Sequence, residues 1–202
     1  MSTNLDDIQS MIATYADEDP NTSNISSADY ALRKSFINMA IREFSEATNW
    51  QVLYKEYNVL VSTSTGNASI ALPTDFRKLA SFPIISGSNS TDLYPETIPQ
   101  SSGQYAETQK RVEILGNFDS NYVLRVYGVT LSSGASVKVP YYANAVSLVT
   151  VSDVSEIPNP EFLTKRALAY MLESRDDPKF VEMKTEADRI LANMIDRENV
   201  FS

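Results

Sequence analysis

Neither histidine nor cysteine occurs among the 202 residues. Imidazole is the commonest general base and transition-metal ligand, and thiolates supply nucleophiles, zinc ligands and disulfides. All of that chemistry is therefore excluded. Carboxylates, hydroxyls and amines remain. Asp17-Glu18-Asp19 is the densest acidic run, but it lacks the alternating ligand spacing and the glycine of a calcium loop and reads as solvated acid. Asp176-Asp177 suits a helix start better than a metal. Two carboxylates suffice for a glycosidase, yet nothing singles out a pair in opposed environments. No GxGxxG or Walker-type spacing offers a phosphate loop. The eleven tyrosines and the single tryptophan, Trp50, fall at strand and helix spacing, where aromatics are core residues more often than sugar platforms. The expectation is a protein that is not an enzyme, with no catalytic residue, no cofactor and no metal.

The net charge is −9, and residues 1–32 hold six acids (Asp6, Asp7, Asp17, Glu18, Asp19, Asp29) with no Lys or Arg. Outside helices the basic pairs are Arg77-Lys78 and Lys110-Arg111, too little for the footprint that neutralises duplex phosphates. Sequence-specific DNA binding is not expected. The start, MSTNLDDIQSM, lacks the basic and apolar regions of a signal peptide, and no apolar run nears the ~20 residues of a membrane span. These features predict a soluble protein made in a reducing cytoplasm, with no membrane partner.

The elements that must position these residues follow from period and punctuation. All six glycines fall between residues 66 and 134, so helical ends should flank a β-rich middle. Apolar residues at 5, 8, 11, 12 and 15 predict a helix over Leu5–Tyr15. A second helix is predicted from about Asp29 to Trp50, capped by Ser27 or Asp29. Its core face would carry Leu32, Phe36, Met39, Ala40, Phe44, Ala47 and Trp50, with Lys34, Asn38, Arg42, Ser45 and Asn49 opposite. Arg33 and Glu43 lie inside that stripe, either snorkelling at its edge or forming a salt bridge to a neighbouring element or subunit. From Val52 the period becomes two, and a hairpin (52–61, then 68–72) leads to strand candidates over 79–85, 112–115, 122–129 and 137–142. The polar stretch 87–107 is long for a loop. Asn159-Pro160-Glu161 starts a largely buried helix to about Arg175, and Asp177-Pro178 repeats the cap-plus-proline signal before a helix reaching about Asn199. There Phe180, Met183, Ala187, Ile190, Leu191, Met194 and Ile195 form one stripe. The predicted class is α+β: a helical layer from residues 1–50 and 157–202, with an antiparallel β-sandwich or small barrel inserted over 51–156.

Three stretches resemble the adaptor, or tail tubular protein A-like, family of short-tailed bacteriophages. The first is RKSFINMAIREFSEATNWQVLYKE (33–56), similar to the family's helix running into a tryptophan before the first strand, with Arg33, Ile37, Asn38, Ala40 and Trp50 matching. The second is ASIALPTDFRKLASFPI (68–84), whose Leu72-Pro73-x-Asp75-Phe76 resembles the family's Leu-Pro-x-Asp-Phe corner. The third is IPNPEFLTKRALAYMLESRDDPKFVEMKTEADRILANMI (157–195). Together they cover over half of the chain in the family's order.

The resemblance implies a structural virion protein, a head-to-tail connector of the neck or tail. It implies a ring of twelve copies docked beneath the portal protein, with helices in its wall and the β module facing outward or toward tail (nozzle or fibre) proteins. Genomic DNA would pass through an acidic channel without sequence-specific binding. Leu72, Pro73, Asp75 and Phe76 are expected to act structurally: Pro73 ends a strand, Asp75 caps the following turn and Phe76 plugs the core. Trp50 would pack where helix meets sheet, and Asn159-Pro160 would open the buried helix. Arg33, Glu43 and the tail residues Arg197, Glu198, Asn199, Val200 and Phe201 are candidate subunit or portal contacts, as is the loop 87–107. The rival expectation is a β-sandwich module of a tail or fibre component that recognises a surface ligand such as a carbohydrate through exposed aromatics.

Overall fold

A computed structural model describes residues 3–61, 67–81, 83–86, 91–92, 111–117, 120–127 and 134–200. The fold is α+β, and the chain divides into two compact units, one of residues 1–53 and 144–202, the other of residues 54–143.

The first unit is helical. Helix α1 spans Leu5–Tyr15, the range read from the sequence; Asn4 and Asp7 cap it reciprocally, each side chain meeting the other's amide. That arrangement satisfies two of the orphan donors of the first turn. Helix α2 spans Ser27–Ala47. It starts two residues before the predicted Asp29 because Ser26 is the cap, its hydroxyl accepting from the Asp29 amide at 3.1 Å. It stops at Ala47, where Thr48 turns extended, so Trp50 lies beyond the helix. Helix α3 is Pro160–Glu173, and all eight residues from Phe162 to Ala169 are buried, as a helix packed against α1, α2 and α4 requires. Helix α4 is Phe180–Asn199. It begins later than Asp177-Pro178 predicts: Asp177 accepts from the Lys179 amide at 2.9 Å in the preceding turn, and no side chain caps α4.

The buried face of α2 differs from the predicted one. Arg33, Ile37, Ala40, Ile41, Phe44 and Ser45 are buried, whereas Leu32 and Met39 are exposed. At 100° per residue the core face is turned by about a quarter of a circle. Its physical reason is the segment 144–157, which lies along the side carrying Asn38 and Ser45 and satisfies their hydrogen bonds. The core of this unit joins Leu5, Ile8, Ile12, Ile37, Phe44, Trp50, Leu148, Ile157, Phe162, Leu168 and Met171.

The second unit is two antiparallel sheets around one core. The strands are β1 Tyr54–Val61, β2 Asn67–Ala71, β3 Phe76–Leu79, β4 Ile84–Ser86, β5 Thr91–Asp92, β6 Arg111–Asn117, β7 Ser120–Tyr127 and β8 Ala135–Ala143. In the larger sheet β8 is central, with β1 along one side and β3 then β4 along the other, and β5 beyond β4. In the smaller, β7 lies between β2 and β6. Val137, Val139, Tyr141, Ala143, Ile70, Leu72, Val112, Leu124 and Val126 fill the space between, the inward half of alternating strands.

Residues 79–85 are two strands rather than the single one predicted. Both pair with β8, but between Leu79↔Tyr141 and Ile84↔Lys138 the register gains two residues. Pro83 lies in that interruption, and a proline has no N–H for a ladder. Gly116 sits at φ +117 at an irregularity between β6 and β7, where a Cβ would lie 2.9 Å from the Asn121 carbonyl oxygen. Only glycine fits there.

Candidate interaction surfaces

The ionisable groups buried in the helical unit all tie one element to another. Asn159 opens α3 by accepting from the Glu161 amide at 3.0 Å, with Pro160 in the first helical position. That start places Lys165 and Arg166 on consecutive buried positions, pointing at different neighbours. Lys165 meets Glu161 of its own helix at 3.1 Å and Glu186 of α4. Its hydrogen bond to Glu186, ahead of that to Glu161, raises its pKa against the opposing cost of desolvation. Arg166 meets Glu43 of α2 at 2.9 Å and Asp188 of α4. Glu43 also accepts the Tyr170 hydroxyl at 2.7 Å. Burial first, and that bond second, push the Tyr170 pKa up to about 12. At the far end of the unit, Glu18 pairs with both Arg33 of α2 and Arg175 beyond α3, at 3.1 Å for the latter. Removing one partner from such a group strands a charge in low dielectric, so these pairs act as locks between helices.

Asn38 and Ser45 do the same work with neutral groups. The Asn38 amide donates to the Leu148 carbonyl at 3.0 Å and accepts from the Leu148 amide at 2.8 Å, imitating one rung of a sheet. Ser45 accepts from the Ala145 amide at 3.0 Å. Sequence reasoning put both on the solvent face. The one signal that marked Asn38 was its place between Ile37 and Ala40 in the first resembling stretch; Lys165-Arg166, inside an otherwise apolar helix, is the other legible sign.

Trp50 lies in the helical core. It stacks on Phe44 at 4.1 Å between ring centroids, and its indole N–H donates to the Phe44 carbonyl at 2.5 Å. In the β unit, Leu72 ends the pairing of β2, its N–H donating a hydrogen bond to the Tyr122 carbonyl at 2.8 Å. Pro73 accepts from the Phe76 amide at 3.0 Å, closing a turn around Asp75. The Asp75 carboxylate accepts from Lys55 at 2.9 Å and from the Tyr141 hydroxyl at 3.0 Å. Burial first, then that bond, push Tyr141 up to about 12. Phe76 is buried against Tyr122 and Tyr141, with ring centroids 5.4 and 5.7 Å away.

The predicted contact residues do not form one surface. Arg33 is buried on Glu18, and Glu43 is engaged by Arg166 and Tyr170. Arg197, Asn199 and Val200 are exposed at the end of α4, while Glu198 accepts from the Gln51 amide. Phe201 lies outside the described residues, and of the loop 87–107 only Thr91 and Asp92 lie within them. No described helix is long and apolar enough to cross a membrane.

Ion pairs lock the helices of one unit, two sheets enclose the core of the other, and Arg33, Glu43 and Glu198 are spent on internal contacts. The model of the SU10 adaptor protein family matches residues 3–201, and the chain belongs to that family. It is an adaptor family of phage structural proteins rather than of enzymes, which makes this chain a virion component that joins other head or tail components. Among curated protein sequences none matches it.

Proposed function

We propose that this adaptor forms a ring, of twelve copies, that joins the portal of the phage head to the tail and surrounds part of the DNA channel. The observation that carries the reading is the family match over nearly the whole chain. The charge supports it. The helical unit holds 19 acidic and 10 basic side chains, so the whole net charge of −9 sits there. A ring wall of that sign repels phosphate and lets the genome slide without sticking. The exposed end of α4 (Arg197, Asn199, Val200) is then the first place to probe for portal contact. The β unit, which is neutral, is left to meet tail proteins.

Electron microscopy of the chain mixed with the portal encoded beside it tests the reading. The expected result is a symmetric ring stacked on the portal, with the helical unit around the channel. An intact portal that binds none of the protein would overturn it and favour a tail component instead. A channel lined mainly by Lys and Arg would overturn the sliding argument alone.

A further inference from the structure

Helix α2 brings two different uncharged patches to the surface of the helical unit. Along one side runs the segment 144–157, held by Asn38 and Ser45 and by a bond from Lys34 to the Val149 carbonyl. The start of α1 holds it from beneath, the Leu5 and Asp6 amides donating to the Asp153 and Val151 carbonyls. On this fixed segment Val146, Val149, Val151 and Val154 are 56, 65, 56 and 50% exposed. Four β-branched apolar side chains within nine residues form a ridge. The two acids of the segment are half-exposed but occupied by its own residues. Asp153 accepts from the Thr150 hydroxyl and from the amides of Val149 and Thr150, and Glu156 accepts from the Val146 amide.

On another side of α2, Leu32 and Met39 are 45 and 46% exposed, with half-buried Phe36 between them. This i, i+4, i+7 stripe has the pattern of a core face but lies at the surface. By 100° per residue it stands about 150° around α2 from Lys34, Asn38 and Ser45. The ridge and the stripe of one chain therefore face apart and cannot cover each other.

We propose that they mate between copies: the valine ridge of one chain covers the Leu32–Met39 stripe of the next. This rests on the ring reading above. Two arguments select a second copy as the occupant. Two helical units, each with a surplus of nine negative charges, repel one another, and the repulsion costs least where both contact faces are uncharged. Contact through two different patches is also heterologous, so it adds copy to copy until the chain of subunits closes. Faces that are not opposite turn each copy relative to the last, the condition for a ring. A patch held in place before binding loses little freedom on docking, which suits a ridge tied at both edges.

The lack of cysteine makes the contact testable without background. Virions assembled with the adaptor carrying both Val149→Cys and Met39→Cys would be oxidised, denatured and separated without reductant. The expected result is a ladder of covalent multimers up to the closed ring, collapsing to monomer on reduction. Either single variant alone should stay monomeric, and virions built from the two single variants together should give dimers at most. A control pair on the exposed face of α4, Lys184→Cys with Arg189→Cys, should give no ladder. If the double variant melts like the wild type but is excluded from particles that accept the control pair, the contact is needed for assembly, which also supports it. Monomers from double-variant virions containing a normal amount of adaptor would overturn the interface. Dimers from a single variant would show that a patch pairs with itself and overturn the head-to-tail arrangement. Absence of the chain from wild-type virions would overturn the ring reading itself.

Discussion

Residues 54–143 carry seven acidic and seven basic side chains, whereas the helical unit carries 19 and 10. The two units also use their charges differently. In the β unit the elements are aligned by the backbone ladder, β8 pairing with β1, β3 and β4, and side chains need only alternate in and out. In the helical unit the backbone bonds stay within each helix, apart from those that the start of α1 makes to residues 151–155, so side chains must set how one helix sits on another. Arg166, Lys165, Glu18 and Asn38 do this. A sheet thus stores its tertiary arrangement in the main chain, and a helix bundle stores it in a few long side chains, several of them polar.

Trp50, the only tryptophan, lies in the helical core, so its fluorescence follows that unit alone while circular dichroism follows both. Phe76→Ala should have the largest effect, costing about 4 kcal/mol through the cavity it leaves. If the units are independent, denaturant curves should show that loss with the Trp50 transition unmoved; a matching shift at Trp50 would break the comparison. Arg166→Ala should cost about 2 kcal/mol, because the buried Arg166 side chain leaves a gap while Glu43 and Asp188, both reached by solvent, lose a partner. Here the Trp50 transition should move and the β-sheet signal should not. A smaller loss, about 1–2 kcal/mol, is expected from Asn38→Ala, which strands the Leu148 amide and carbonyl. Hydrogen exchange should then quicken over residues 145–154 and stay unchanged in β1 and β8.

The smallest effect is on pH dependence. Tyr141 and Tyr170, one in each unit, have pKa values raised from 10.0 to about 12. A raised folded pKa means the stabilisation is complete below pH 10 and is lost as the pH climbs from 10 to 12. The Lys165 pKa is likewise raised, from 10.5. That of Lys138 in the β unit is raised too, but its pair with Glu56 is open to solvent and screened. The share that is complete below pH 10.5 and fades above it therefore lies mainly in the helical unit. Alkaline titration should show late-ionising tyrosines by tyrosinate absorbance, Tyr141 and Tyr170 among them, with the Trp50 transition weakening before the β-sheet signal. Equal weakening would mean that the Lys165 lock contributes nothing to the difference.

Much of this was legible before any coordinates. Leu5–Tyr15 repeats every three to four residues and is α1. Asn159-Pro160-Glu161 carries the cap and the proline that begin α3. The strands over 112–115 and 137–142 alternate as half-buried strands do, and each is found three residues longer. Local chemistry fixes such elements: a cap lies within three residues of the amide it serves, and a strand's period belongs to the strand. The class of the protein was accessible through the three resembling stretches, which follow one another in the family's order, and the family match over residues 3–201 bears it out.

Tertiary structure alone decided how the elements present themselves. Hydropathy assigned Leu32, Phe36 and Met39 to the core and Asn38 and Ser45 to water; the structure buries Ser45, half-buries Asn38 and leaves Leu32 and Met39 exposed. Hydropathy scores each side chain as though no partner were waiting. Burial of a polar group costs little once a buried acceptor and donor meet it, and for Asn38 and Ser45 those partners come from residues 145 and 148, about a hundred positions away. Arg33 and Glu43 follow the same logic, since their partners, Glu18 after α1 and Arg166 in α3, belong to other segments. Sequence by itself determined which segments are helix or strand and what chemistry is out of reach. Which face of α2 meets the core was settled only when distant backbone arrived to hydrogen-bond it, because that free energy resides in the pairing and not in either residue.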